Sequence, residues 1–123
     1  MRRIILLLSA LVSAAALAAL AIAVPGSAAV QKLVATVGPG ETITLRTAAG
    51  APVRTLRAGA YTIVVRDRSS EHNFRLRGAG VNRATGVSSV RTVTWRVKFL
   101  RGKAYRFVCD PHAGDMRGSF RAR

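Results

Sequence analysis

From Val30 to the end of the chain, apolar residues recur at every second position in short runs, the period of strands with one buried face. Leu33, Ala35 and Val37 share a face, and Gly38-Pro39-Gly40 then breaks the chain. Ile43 and Leu45 alternate with Thr42, Thr44 and Arg46, and Ala49-Gly50-Ala51-Pro52 marks a second turn. Tyr61, Ile63 and Val65 form a third stripe. His72, Phe74 and Leu76 form a fourth, with Asn73, Arg75 and Arg77 on the opposite face. Gly78 to Ser89 is polar and glycine-bearing and reads as a loop. The strongest stripe is Val93, Trp95, Val97 and Phe99, between Thr92, Thr94, Arg96 and Lys98. Arg101-Gly102-Lys103 reads as a tight hairpin connection to a strand that puts Tyr105, Phe107 and Cys109 on one face. Gly118-Ser119-Phe120 opens a last short strand. No stretch after residue 30 repeats with a helical period. The expected fold is all-β, a sandwich of about seven to eight strands with Tyr61 and Trp95 in its core.

The N-terminus has a different pattern. Arg2 and Arg3 precede an uncharged run, Ile4 to Val24, interrupted only by Ser9 and Ser13. Pro25, Gly26 and the small residues Ser27-Ala28-Ala29 follow. That order is the order of a secretory signal peptide, with cleavage expected after Ala29. The alternative is an uncleaved anchor over residues 4–24, long enough to cross a bilayer. No cysteine near the site is available for a lipid anchor. The expected mature domain is therefore residues 30–123, exported to the periplasm, the cell envelope or the medium. Its 94 residues can bury one modest core, which excludes a multi-span membrane protein and a large multidomain enzyme.

The scarce residues carry the candidate chemistry. Past residue 29 the chain has one cysteine, one methionine, two histidines and one tryptophan. Cys109, His112 and Met116 lie within eight residues of one another. A lone cysteine on an apolar strand is ordinarily a small hydrophobe, and a lone methionine is ordinarily core filler. Together with His72 from another strand, however, they exhaust the soft and imidazole donors of the domain. A thiolate and two imidazoles with a weak axial thioether suit copper cycling between its two oxidation states. The expected ligands are His72, Cys109, His112 and Met116. A zinc enzyme using Cys109 and the two histidines would want an open position and a general base. The acids nearest in sequence are only Glu71, Asp110 and Asp115. No histidine is left for a second, catalytic copper, so a substrate-converting enzyme is not expected.

The same residues carry a family resemblance. Tyr105 to His112, followed by Met116-Arg117-Gly118-Ser119-Phe120, resembles the C-terminal copper loop of the plastocyanin, pseudoazurin and amicyanin group of cupredoxins, the blue copper proteins. Glu71-His72-Asn73-Phe74 is similar to the segment that supplies their other histidine ligand. The resemblance implies a Greek-key β-sandwich, one type 1 copper ion and single-electron transfer. It also implies that Asn73 fastens the two ligand loops by hydrogen bonds. His112, framed by Pro111 and Ala113, is then the expected electron port. The interval from His112 to Met116 is shorter than the usual plastocyanin one, and the acidic docking surface of plant plastocyanins is absent.

Charge sets the expected partners. Residues 30–123 carry 18 Lys and Arg against five Asp and Glu, a net +13, and arginine supplies 15 of the 18. Such a charge steers a protein toward acidic partners or anionic envelope surfaces. Redox proteins with acidic docking surfaces are the expected partners of a monomer. Nucleic acid is not, because export removes it and no exposed aromatics interleave the basic residues. Membrane contact through the N-terminus is expected only if that segment is retained. Two other functions use the same residues differently: an envelope copper carrier or store with the same ligands, and a metal-free sandwich acting as a binding module.

Overall fold

The computed structural model describes residues 19–23, 26 and 29–123. The signal peptide expected over residues 1–29, and its alternative as an anchor over residues 4–24, lie almost wholly outside the described residues. Among the described residues no helix is long and apolar enough to cross a membrane.

Nine strands and one short 3-10 helix follow in order: β1 (Gln31–Val37), β2 (Ile43–Thr47), β3 (Thr55–Leu56), β4 (Gly59–Asp67), β5 (Arg75–Gly78), β6 (Val81–Ala84), β7 (Arg91–Phe99), β8 (Ala104–Val108), the 3-10 turn Asp110–His112, and β9 (Arg117–Ala122). They form two mixed sheets, ordered β2-β1-β4-β7 and β3-β9-β8-β5-β6. The chain crosses from the first sheet to the second for β3, returns for β4, crosses for β5 and β6, returns for β7 and crosses again for β8. This exchange between the layers makes the expected sandwich. The inward stripes of both sheets meet in one core, with Leu33, Ala35, Ile63 and Val65 facing Phe74, Leu76, Tyr105 and Phe107. Phe99 packs against three rings, those of Tyr61, Tyr105 and Phe120, at centroid distances of 5.3, 4.7 and 5.0 Å. Tyr61 and Trp95 are buried as expected.

Two local expectations fail, and one strand escapes the periodicity altogether. Gly78 to Ser89 is not all loop, because β6 lies inside it and pairs antiparallel with β5. This edge strand buries only Val81, so it shows no alternation. Backbone pairing across the two-residue turn Ala79-Gly80 holds it, with Gly80 at a φ of 70° that favours glycine. β3 is equally invisible to periodicity, since it has two residues paired parallel to β9. Asn73, expected on the outward face, is 2% exposed. It lies before the first ladder pair of β5, where the strand period does not yet apply.

β1 and β4 run parallel and finish together, with the Arg68 N–H bonded to the Val37 carbonyl. The turn after β1, the loop after β4 and the segment after β8 therefore gather at one end of the sandwich.

Candidate metal centre

β4 closes on Asp67, in phase with the inward residues Tyr61, Ile63 and Val65, so its carboxylate points into the interior and is only 2% exposed. A buried carboxylate is costly without hydrogen bonds. Here Oδ1 accepts the Ser69 N–H at 3.1 Å, and Oδ2 accepts the Thr85 hydroxyl. Thr85 Oγ1 in turn accepts the Phe74 N–H at 2.9 Å. The Ser69 hydroxyl oxygen accepts the N–H groups of Glu71 and His72 at 3.0 and 3.1 Å. The loop from Arg68 to Phe74 is thus fastened from within, and it delivers His72 in a buried position.

The other half begins where β8 ends. Cys109 is fully buried. Pro111 then favours the tight turn of Asp110–His112, where its missing N–H costs nothing. The His112 N–H donates to the Cys109 carbonyl at 3.1 Å, and the Met116 N–H donates to the His112 carbonyl at 2.8 Å. The Cys109 N–H donates to the Met116 carbonyl at 2.9 Å. These three bonds close a ring of backbone that carries Cys109, His112 and Met116 together. Met116 is buried in the same core cluster as Cys109.

Asn73 joins the two halves. Its Oδ1 accepts the Asp110 N–H at 2.8 Å, and its Nδ2 donates to Asp110 Oδ2 at 2.8 Å and to the Thr85 carbonyl at 3.2 Å. Asp110 also accepts from Arg75 Nε at 2.8 Å, and Arg75 reaches Asn82 Oδ1 at 2.8 Å. The Arg75 guanidinium holds the Asp110 carboxyl below its ordinary pKa, with the Asn73 amide acting the same way against partial burial. Residues 73, 75, 82, 85 and 110 thus tie β5, β6 and the segments flanking them to the cysteine loop.

Across this clamp, Cys109 Sγ stands 3.6 Å from His72 Nδ1. That is about the separation of two ligands on one metal ion with bonds near 2.3 Å to sulfur and 2.1 Å to nitrogen. The His112 ring packs edge-on against the His72 ring, with centroids 4.6 Å apart. Its Nδ1 lies 3.7 Å from Glu41 Oε1, in the turn between β1 and β2. Among the described residues no three His, Cys, Asp or Glu side chains form a group set to hold a metal ion. The donor chemistry fits copper, and the Cys109–His72 pair is spaced for it, while His112 turns its Nδ1 toward Glu41. Pro111 and Ala113 are exposed on either side of the half-buried His112.

Sequence reasoning passed over Asp67, Ser69 and Thr85, which set the His72 loop. The signal was an acid standing in the inward phase of an apolar stripe, since only a partnered carboxylate is tolerated there.

No family model matches the chain, and no curated protein matches it. Among solved structures it is similar to rusticyanin, described as a copper protein, with a TM-score of 0.50 and 18% identity over 75% of this chain and 76% of that one. A structure of reduced rusticyanin gives 0.45 and 22%, over 75% and 78%. At such identities the likeness speaks for the fold and not for a subgroup. The chain folds as a cupredoxin-like β-sandwich.

Proposed function

We infer that the protein carries single electrons by means of one type 1 copper ion held by His72, Cys109, His112 and Met116, as in the plastocyanin and pseudoazurin group that its sequence resembles. The observation that carries this reading is the Cys109–His72 pair, 3.6 Å apart and buried beneath the loop that also bears His112 and Met116. Bound there, copper supplies a one-electron couple between Cu(I) and Cu(II). The protein does the rest. The core around Cys109 excludes water from the thiolate. The Asn73–Asp110 clamp and the closed Cys109–Met116 ring keep the ligand loops from relaxing when the charge changes. His112, flanked by Pro111 and Ala113, brings one edge of the site to the surface, where a partner can approach. On this reading the protein passes electrons and is not a substrate-converting enzyme. The reading includes export of residues 30–123 as a monomer, and redox partners with acidic docking surfaces drawn by the positive charge.

Adding Cu(II) to the purified protein tests the reading. An intense blue thiolate-to-copper band is expected, absent in Cys109→Ser. A pale protein overturns the electron carrier. Tight Cu(I) binding without colour favours the copper carrier instead.

A further inference from the structure

The charge of this protein is not spread evenly. All five acids of the domain gather at the end that carries the candidate metal centre. Glu41 lies beside His112, Asp67 ends β4, Glu71 precedes His72, and Asp110 and Asp115 belong to the cysteine loop. The opposite end holds none. It is built by β3, the β7–β8 hairpin and the end of β9. There Thr55 pairs with Arg121, the Ala58 N–H donates to the Arg123 carbonyl at 2.9 Å, and the Ala122 N–H donates to the Lys103 carbonyl at 3.0 Å. These contacts bring Arg54, Arg57, Arg101, Lys103, Arg121 and Arg123 to one exposed pole. None of the six takes part in an ion pair among the described residues, where the pairs are Arg75–Asp110 and His112–Glu41. Arg57, Arg101 and Arg123 line an open cleft of about 620 Å³.

We propose that this pole docks on an anionic phospholipid bilayer and so holds the end bearing His112 toward the aqueous side. Three observations choose that occupant. Five of the six cations are arginines, whose planar forks match phosphate oxygens. The pole offers no exposed aromatic ring on which a nucleobase could stack, since Tyr61 at the cleft is buried and donates its hydroxyl to the Arg57 carbonyl at 2.8 Å. The third is position along the chain. Gln31, the first residue of β1, lines the same cleft. Six residues separate it from the apolar run Ile4–Val24, a reach of about 20 Å at full extension. Before cleavage, or where the run is retained, a bilayer holding it meets this pole before any other part of the domain. The interaction does not depend on copper and stands apart from the electron-carrier reading.

The test is sedimentation of the domain of residues 30–123, which contains the whole described core, with vesicles of phosphatidylcholine alone or mixed with phosphatidylglycerol. The apolar run is left out because, once inserted, it would hold every variant on either vesicle type. Each cation near an anionic surface strengthens binding roughly fivefold. Arg57→Gln, Arg101→Gln and Arg123→Gln combined should therefore weaken binding to the anionic vesicles about 100-fold at 0.1 M ionic strength. The combination Arg66→Gln, Arg68→Gln and Arg91→Gln removes the same charge at the other end and should change binding less than about twofold. Circular dichroism confirms that both variants fold. Equal losses in the two sets, or equal binding to both vesicle types, would overturn the proposal. So would duplex DNA or inorganic phosphate displacing the protein from vesicles at concentrations too low to act by screening.

Discussion

At the scale of single residues, Asn73 bears more than its size suggests. Its amide satisfies the Asp110 N–H and the Thr85 carbonyl, and it bonds the Asp110 carboxylate as well. Truncation strands two backbone groups in a buried setting, at about 1–3 kcal/mol for each group left without a partner. Asn73→Ala should therefore lower the unfolding free energy by roughly 3 kcal/mol, read from the midpoint of urea denaturation. Asn73→Asp separates shape from charge. It keeps an acceptor for the Asp110 N–H but sets two carboxylates at a contact now 2.8 Å long. One of that pair must then have its pKa raised in the folded state. A raised folded pKa means stability that is present at low pH and lost as pH rises past the carboxylate range, near 4. The Asp variant should thus be less stable than wild type at pH 7 and recover most of the difference by pH 4. If both variants match wild type at both pH values, the clamp contributes nothing to stability.

At the scale of elements, β8 is the strand on which the two candidate ligand segments depend, lying between β5 and β9 and ending just before Cys109. Its pairing with β9 places Phe107 opposite Gly118. The Phe107 ring lies flat over that glycine, so close that an added Cβ would collide with three of its ring carbons. The same ring stacks on Phe74 at 5.7 Å, which leaves it little room to retreat. Gly118→Ala should cost about 1–3 kcal/mol as overpacking, or roughly 4–20 °C in Tm for a domain of this size. Calorimetry checks this, and an unchanged Tm would mean that Phe107 moves aside freely. The sequence announced the strands that feed this packing because they bury a full stripe: β1, β4, β7 and β8 all alternate cleanly. It concealed β3 and β6, which bury one residue apiece and are held by backbone pairing. Cys109, His112 and Met116 were legible because rare residues stood close together. His72 lies 37 positions before Cys109 and was legible by elimination, as the other histidine of the domain, and by the family resemblance. The Asp67–Ser69–Thr85 network was hidden for a physical reason. Its bonds run between side chains and backbone of distant segments, and residue spacing encodes none of them.

At the scale of the whole molecule, net charge and local charge give different answers about approach to His112. Residues 30–123 carry +13, yet their acids lie at the end of the candidate metal centre while the six-cation pole lies at the far end. β4 alone, with nine residues, spans about 30 Å. At 0.1 M ionic strength the Debye length is about 10 Å, so charge at the far pole is screened from the His112 edge. Near 0.01 M, where the length is about 30 Å, the whole molecule acts. Hexacyanoferrate, a small multivalent anion, makes the difference measurable as the rate of oxidation of the reduced copper protein. That rate should fall steeply with salt up to about 0.1 M and then flatten. Arg57→Gln, Arg101→Gln and Arg123→Gln together should slow it at the lowest salt and leave it within about twofold at 0.1 M. Glu41→Gln should act the other way, because that carboxylate lies 3.7 Å from the His112 ring. Its removal should speed the reaction roughly fivefold even at 0.1 M, since neighbouring charges are little screened at such range. Rates that followed net charge alone, whichever residue was neutralised, would show that the anion reacts elsewhere than at the His112 edge.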